Sequence, residues 1–466
     1  MSAFLCSRGS YRAAASIIAA SLSAGLLASG RVPLDTLTLF WFALTPVASF
    51  YLRYPFEKTV ITFDRAVFAV ALIFLITKRR RAGEVSSTGF EIVWAMLSAL
   101  ALSSAIIESN NVGHATRIAV DSFWLPLIAF HIARHHIDFR RKASALILAT
   151  GALSVLLFVT GAYEMRTGAD LFQYPGSQIL REGEIRVNGP FISDSSYAIV
   201  SLMLGLFLWS APAVFRVRLD RSGKLMHRLA VGLAMAAALL PLFRAVAVAM
   251  FICWVIVARF SVRDPEESTS RPALFRARLP ALALTLFAIL SVLALLAATS
   301  RGQRLMDPYN LIGRLATWES AAVIALENSL SGVGLTNYSD YFQVKYFTGV
   351  EARESVLDVR AVNTPHSNPL WIAAELGSVA FVLYLIANVY ILRMGLSALR
   401  RRAGRERRAA AACYLALAAA YWIPGLTLSS GVYSELNLYL FFLLGLLART
   451  FSSGGDSPGI ERAQSH

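Results

Sequence analysis

Charge is what this chain has least of. Asp, Glu, Lys and Arg make up 16% of its 466 residues, where a soluble protein of this size carries roughly 25%. Hydrophobic residues make up 56%, and the mean hydropathy is +0.56. Together these exclude an ordinary soluble domain. Apolar runs of about 17–25 residues, enough to cross a bilayer, recur along the whole sequence, and one soluble core cannot hide them all. Cysteine is nearly absent too. Of the three, Cys253 and Cys413 lie in apolar runs and Cys6 is near the start. There is no CxxC pair and no Cys/His cluster, so neither a disulfide framework nor a zinc site is supported. A Gly-rich phosphate loop, a GxSxG elbow, HExxH, a DxD-type acidic pair and a haem motif are all missing from any credible context. A cytoplasmic nucleotide-driven or metal-dependent mechanism is therefore unsupported, and no cofactor is implied.

Acidic residues are outnumbered by basic ones, 29 to 44, for a formal charge of +15. Such an excess invites a nucleic-acid partner, but its distribution argues against one. The Lys and Arg residues sit in short clusters between apolar runs, which is the positive-inside pattern of a membrane protein. Candidate spans cover 13–30, 36–52, 63–77, 90–107, 118–133, 143–163, 197–215, 229–243, 245–260, 279–299, 369–392, 411–428 and 435–449. Five basic connectors point to the cytoplasm: Lys78 to Arg81, Arg134 to Lys142, Arg216 to Arg228, Arg263 to Arg278, and Arg393 to Arg408. Parity then puts the two long connectors, 164–196 and 300–368, on the opposite side. Arg8 and Arg12 also favour the cytoplasm, yet three runs separate them from Lys78, where an even number is required. Residues 13–30 also read as an uncleaved signal-like anchor. The expected fold is all-α: a polytopic integral membrane protein forming one transmembrane domain over 1–466, with about twelve spans. Its large extracytoplasmic loop should carry short helices.

Parity says most at 229–260. This run joins two basic loops and so must cross twice, which leaves about 16 residues, or ~24 Å, per arm. That is short of a hydrocarbon layer about 30 Å thick, so the tip carrying Pro241 and Arg244 should sit slightly sunk in the outer leaflet. An Arg there either binds an anion or snorkels to the headgroups. In the first long loop, Arg186 opens Arg-Val-Asn-Gly-Pro-Phe. It is placed to meet a lipid phosphate or to stay a solvated loop residue. In the second, Gly313-Arg314-Leu315-Ala316-Thr317-Trp318 opens a helical stretch to about Glu327, with Leu315, Trp318, Ala322 and Leu326 on one face. It reads as an amphipathic surface helix, broken by Gly332-Val333-Gly334, with Arg314 at its start. A packing helix with a solvated Arg is the other reading. His366 lies where the loop re-enters a span, just before Pro369, which suits a first helical turn. It serves either as a general base near neutral pH or as a helix cap.

Together these pieces resemble the O-antigen ligase/polymerase superfamily of bacterial surface-polysaccharide enzymes. The resemblance is best over 186–377. It rests on Gly313-Arg314-Leu315, Trp318, Ser331-Gly332-Val333-Gly334-Leu335-Thr336-Asn337-Tyr338, His366 with Leu370 and Glu375-Leu376-Gly377, Phe243-Arg244-Ala245, and Arg186 to Phe191. Ser367 stands where the family has Asn after the His, although Asn368 follows, and Phe243 replaces a small hydroxyl residue. The resemblance implies inverting, metal-independent glycosyl transfer on the outer face of a bacterial inner membrane. The donor would be a glycan on undecaprenyl diphosphate, the acceptor a hydroxyl of a glycan, lipid or protein anchor. His366 would be catalytic, Arg244, Arg314 and Arg186 would hold the diphosphate, and Glu375, Trp318 and Asn368 would support them. Membrane lipids, a chain-length regulator and a flippase are the implied partners, and no nucleic acid is among them. The rival class is a transporter or flippase for a glycolipid or small anion. It should show related halves and broken helices at the midplane, and the sequence has no obvious internal repeat.

Overall fold

The computed structural model describes residues 33–54, 61–78, 87–172, 180–181, 184–260, 308–347, 364–400 and 404–452. The expected spans 13–30 and 279–299 lie outside them. Apart from two small antiparallel bridges, Arg53–Tyr54 with Ile61–Thr62 and Leu180–Arg181 with Glu184–Ile185, the described chain is helical.

The helices follow the apolar runs. They are α1 (Leu34–Tyr51), α2 (Phe63–Lys78), α3 (Gly89–Ile107), α4 (Val112–Ala119), α5 (Leu125–His135), α6 (Ala143–Thr167), α7 (Asp194–Phe215), α8 (Arg221–Leu239) and α9 (Arg244–Phe260). Beyond the gap come α10 (Pro308–Glu327), α11 (Tyr338–Phe347), α12 (Asn368–Arg400), α13 (Arg405–Gly425) and α14 (Ser434–Ser452). A π-helical turn over Val120–Trp124 joins α4 directly to α5. The expected span 118–133 is thus the middle of a longer helical path. Helix starts carry their own signals. Thr88 and Glu91 form a reciprocal capping box on α3, and Asp220 caps α8 by accepting from the Gly223 N–H.

Among the described residues, five helical segments are long and apolar enough to cross a membrane: Gly89–Ile107, Phe139–Thr167, Asp194–Phe215, Asn368–Arg400 and Ser434–Phe451. This is compatible with a multi-pass membrane protein. Among the described residues, other expected spans form helices that are short, such as α2 with 16 residues and α9 with 17, or Ala-rich, such as α13. Outward-facing residues agree with a lipid setting. On α12, Val379, Val382, Ile386 and Val389 form an exposed stripe at spacings of three and four. A stripe of this kind on a water-facing helix would be an aggregation or docking surface.

The core gathers around α14, 89% buried over its membrane-length window, which packs against α5, α13 and α7. Trp41 and Phe42 of α1 meet Tyr439 and Phe442 at ring-centroid distances of 5.1 to 5.9 Å. The Tyr439 hydroxyl donates to the Phe42 carbonyl at 2.8 Å. Without a hydrophobic difference between lipid and helix, close packing and such bonds must hold the helices together. Small residues permit it. Ala409 to Ala412, Ala416 and Ala418 of α13 are buried, and a Cβ on Gly445 of α14 would overlap the Phe130 carbonyl oxygen of α5. We expect Gly445→Val to force α14 from α5 and to lower stability by about 1–3 kcal/mol. Thermal unfolding in detergent checks this.

Candidate functional site

The site lies at one end of the bundle, built from the α8–α9 tip, α10, the loop 328–337, the entry to α12 and the α13–α14 turn. Its joint is Glu375, 1% exposed. The Glu375 carboxylate accepts the Thr336 N–H at 2.9 Å, the Tyr338 N–H at 3.3 Å and the Trp371 indole N–H at 2.6 Å. The main chain beside it is bonded in the same sense, with Val333 N–H donating to the Ala374 carbonyl and Gly334 N–H to that of Glu375, both at 3.0 Å. The two can approach because α12 kinks at Gly377 (φ 78°). Gly332, at φ 75°, faces the kink, and a Cβ there would overlap the Glu375 backbone. Neither position tolerates a side chain. The expected helix break at Gly332-Val333-Gly334 is therefore also a docking strand for the kink.

Asn337 extends the joint to α3. Its amide donates to the carbonyls of Val333 (2.8 Å) and Glu108 (3.0 Å) and accepts from the Asn110 N–H (3.0 Å). A small apolar cluster of Ala321, Ile324, Val333, Tyr338, Phe342 and Ala374 fills the space beneath α10. The Tyr338 hydroxyl donates to the Thr317 carbonyl at 3.0 Å. The expected surface helix differs in two ways. It starts at Pro308, five residues before Gly313, so Arg314 lies nearly two turns in rather than at its start. Leu315 and Leu326 are exposed, while Thr317, Ser320, Ala321 and Ile324 form the buried face. The sequence showed an apolar stripe, but packing against α12 selected the opposite, smaller-residue face.

Arg314 is half-buried, and burial, followed by the nearby positive charge of Arg244, holds its pKa below the ordinary value. A guanidinium keeps its proton regardless, so positive charge from two separate segments is brought to this end of the molecule. Among the described residues no carboxylate pairs with Arg314. Arg244 is exposed and begins α9, as the short hairpin required. The arms do not pack along each other: α8 lies on α7 and α6, and α9 on α13. His366 is exposed, two residues before α12, and left-handed at φ 52°. Its carbonyl accepts the Trp318 indole N–H at 3.4 Å, which ties α10 to the α12 entry. Left-handed φ is uncommon outside glycine. Besides His366, Leu242 (φ 61°) at the hairpin tip and Thr336 (φ 71°) above Glu375 adopt it. Three of the four such residues among the described ones thus lie in loops that bear the motifs, the fourth being Arg216 at the end of α7, and such conformations cost roughly 1–3 kcal/mol each.

Asn368 is structural. It donates to the Ser430 hydroxyl at 3.0 Å and accepts the Gly431 N–H at 2.8 Å, while the Ser367 N–H donates to Ser429 Oγ at 3.1 Å. Sequence reasoning missed this α13–α14 turn, whose only signal is Ser429-Ser430-Gly431 between two apolar runs. The turn also reaches the first long loop, since Tyr433 bonds the Ser193 and Ser195 side chains. Arg186 Nη1 lies 3.5 Å from the Asp194 carboxylate. Its loop is held by buried Glu164, which accepts the Asn188 and Gly189 N–H groups at 3.0 and 2.7 Å. A separate grouping of Glu91, His131 and His135 at the far end of α3 was also passed over, because its carboxylate is 40 residues from the nearer His.

Glu375→Gln replaces a universal acceptor by an amide whose NH₂ cannot accept, and three donors compete for the remaining oxygen. A buried donor left unsatisfied costs about 1–3 kcal/mol, so the variant should unfold at lower temperature and its loop 332–338 should become protease-sensitive. Unchanged proteolysis would remove Glu375 from the joint. Compared with known proteins, the chain matches no family model and no curated protein.

Proposed function

We propose that the protein is a glycosyltransferase that moves a glycan from undecaprenyl diphosphate to an acceptor hydroxyl, with inversion and without a metal, at the outer face of a bacterial inner membrane. About twelve spans would carry the site, with 164–196 and 300–368 extracytoplasmic. The observation that carries this reading is that Arg244, at the start of α9, lies near enough to half-buried Arg314 of α10 for its positive charge to bear on it. A diphosphate that develops about two to three negative charges on departure suits a pair of planar forks. Exposed His366 on the α12 entry, linked through its own backbone to Trp318 of the Arg314 helix, supports the same reading.

The chemistry follows from these roles. The acceptor oxygen attacks the anomeric carbon from the face opposite the diphosphate. The C–O bond to the diphosphate breaks, and its electron pair leaves on the phosphate oxygen, where Arg244 and Arg314 stabilise it. His366 takes the acceptor proton. Preorganised charge of this kind is often the largest catalytic contribution, and the sugar–phosphate bond supplies the driving force. Arg186, turned to Asp194, would bind donor headgroup rather than the leaving oxygen. Glu375 and Asn368 hold the frame, and Trp318 fixes the distance between α10 and the α12 entry.

The test is a cell-free assay with purified protein and a lipid-linked glycan. We expect new glycosidic bonds from wild type. Arg244→Lys and Arg314→Lys should each lose about 10²-fold or more, because Lys keeps the charge but not the fork. His366→Ala should lose about 10²–10⁴-fold, and His366→Gln should fail likewise, since an amide accepts no proton. A Gln variant with near-normal output would reduce His366 to a positioning residue. Relocation of the glycan with no new bond would instead favour a transporter. A reporter fused after Tyr341 should be active only in an exported form, and cytoplasmic-type activity there would overturn the site's orientation.

A further inference from the structure

At the other end of α3, about 26 Å along the helix from Glu108 at 1.5 Å per residue, lies a cluster that the proposed reaction does not use. His131 and His135 are four residues apart on α5 and so share a face. Both rings turn to one oxygen of buried Glu91: His131 Nδ1 lies 2.7 Å and His135 Nε2 3.2 Å from Glu91 Oε1. The other oxygen is already committed. Glu91 Oε2 accepts from the Thr88 N–H at 2.8 Å and the Thr88 hydroxyl at 2.9 Å. The helix cap therefore orients the carboxylate and leaves Oε1 for the imidazoles.

We infer that Glu91, His131 and His135 form a binding site for a divalent transition-metal ion, Zn²⁺ being the best match, that clamps α3 to α5 and keeps one coordination position open. The donor set is two imidazoles and one carboxylate, which suits a borderline cation and not Mg²⁺ or Ca²⁺. The three ligand atoms lie within 4.8 Å of one another. Tetrahedral bonds of 2.0–2.1 Å would set them about 3.3 Å apart, so the ion enters with changes in separation of up to about 1.5 Å. Both imidazoles switch tautomer as their nitrogens change from donors to ligands. Thr88 supplies the outer hydrogen bonds that metal-bound carboxylates usually need. Among the described residues, Arg134 Nη1 is 3.6 Å from Glu91 Oε2, the oxygen that Thr88 also bonds. His136 is also close, 5.5 Å from His131 between ring centroids.

The open position has somewhere to lead. Glu91, His131 and Ser87 form the polar wall of a groove of about 540 Å³, otherwise lined by apolar residues such as Leu72 and Leu75 of α2, Ile92 and Met96 of α3, and Ile128 of α5. A fourth ligand, water or an exchangeable anion, would enter from there.

The test uses the full-length protein in detergent, stripped by a chelator and titrated with Zn²⁺ against a chromophoric competitor. One equivalent should bind, and Co²⁺ in its place should give visible ligand-field bands. Glu91→Gln keeps an amide oxygen for Thr88 but loses the anionic ligand, and His131→Ala removes an imidazole. Each should lower Zn²⁺ affinity by at least about tenfold and abolish the Co²⁺ bands, while His114→Ala and His227→Ala change neither. Bound Zn²⁺ should raise the melting temperature of wild type and not that of Glu91→Gln. If stripped His131→Ala melts well below stripped wild type, Glu91→Gln alone decides. Failure of wild type to bind one equivalent, or Glu91→Gln binding as tightly as wild type, overturns the site. Both readouts are independent of glycan transfer, so the two proposals fail separately.

Discussion

Glu375 receives the Thr336 and Tyr338 N–H groups and the Trp371 indole on its carboxylate, and the Gly334 N–H on its carbonyl. It does so with almost no exposure to solvent. A carboxylate in such a place is tolerable only when donors surround it, so the loop and the kinked helix have to meet in one register. Everything else at this end of the molecule depends on that register. It fixes α10 through Tyr338 and Thr317, reaches α3 through Asn337, and sets where α12 begins and hence where His366 stands.

Position at the ends of helices explains the rest of the architecture. The bundle interior is held by close contacts among Ala, Gly and aromatic residues, and the polar groups within it are tied to their neighbours, as buried Asp64 is to Trp41, Thr45 and Ser49. Polar function is displaced to the two ends of α3. At one end Glu108 and the neighbouring turn hold the 332–338 loop. At the other, Glu91 caps the helix and gathers two histidines. One rigid helix thus carries two unlike sites on opposite ends. The proposed transfer uses converging positive charge, and the proposed metal site uses converging lone pairs.

The arginines show how geometry separates residues that look alike. Arg186, Arg244 and Arg314 each precede or sit within a motif. The charge of Arg244 bears on Arg314, and Arg186 faces Asp194. Neighbours of like charge are costly in a half-buried setting.

Much of the fold was legible in the sequence because a bilayer-length apolar run has few alternatives to a helix. The runs at 36–52, 63–77, 90–107, 143–163, 197–215, 369–392, 411–428 and 435–449 all became helices close to those bounds. The turn at Gly332 and Gly334, the short hairpin ending at Arg244 and the place of His366 just before α12 were likewise readable from local chemistry. Local chemistry did not decide which face of α10 is buried, since Leu315 and Leu326 make as good a stripe as Ala321 and Ile324. Nor could it pair Glu91 with His131 and His135, or join Ser429 and Ser430 to Ser367 and Asn368. Each of those is a contact between segments 40 or more residues apart or a choice between two faces of one helix. Sequence periodicity fixes a helix and its axis, but only the neighbours packed against it settle its rotation and its partners.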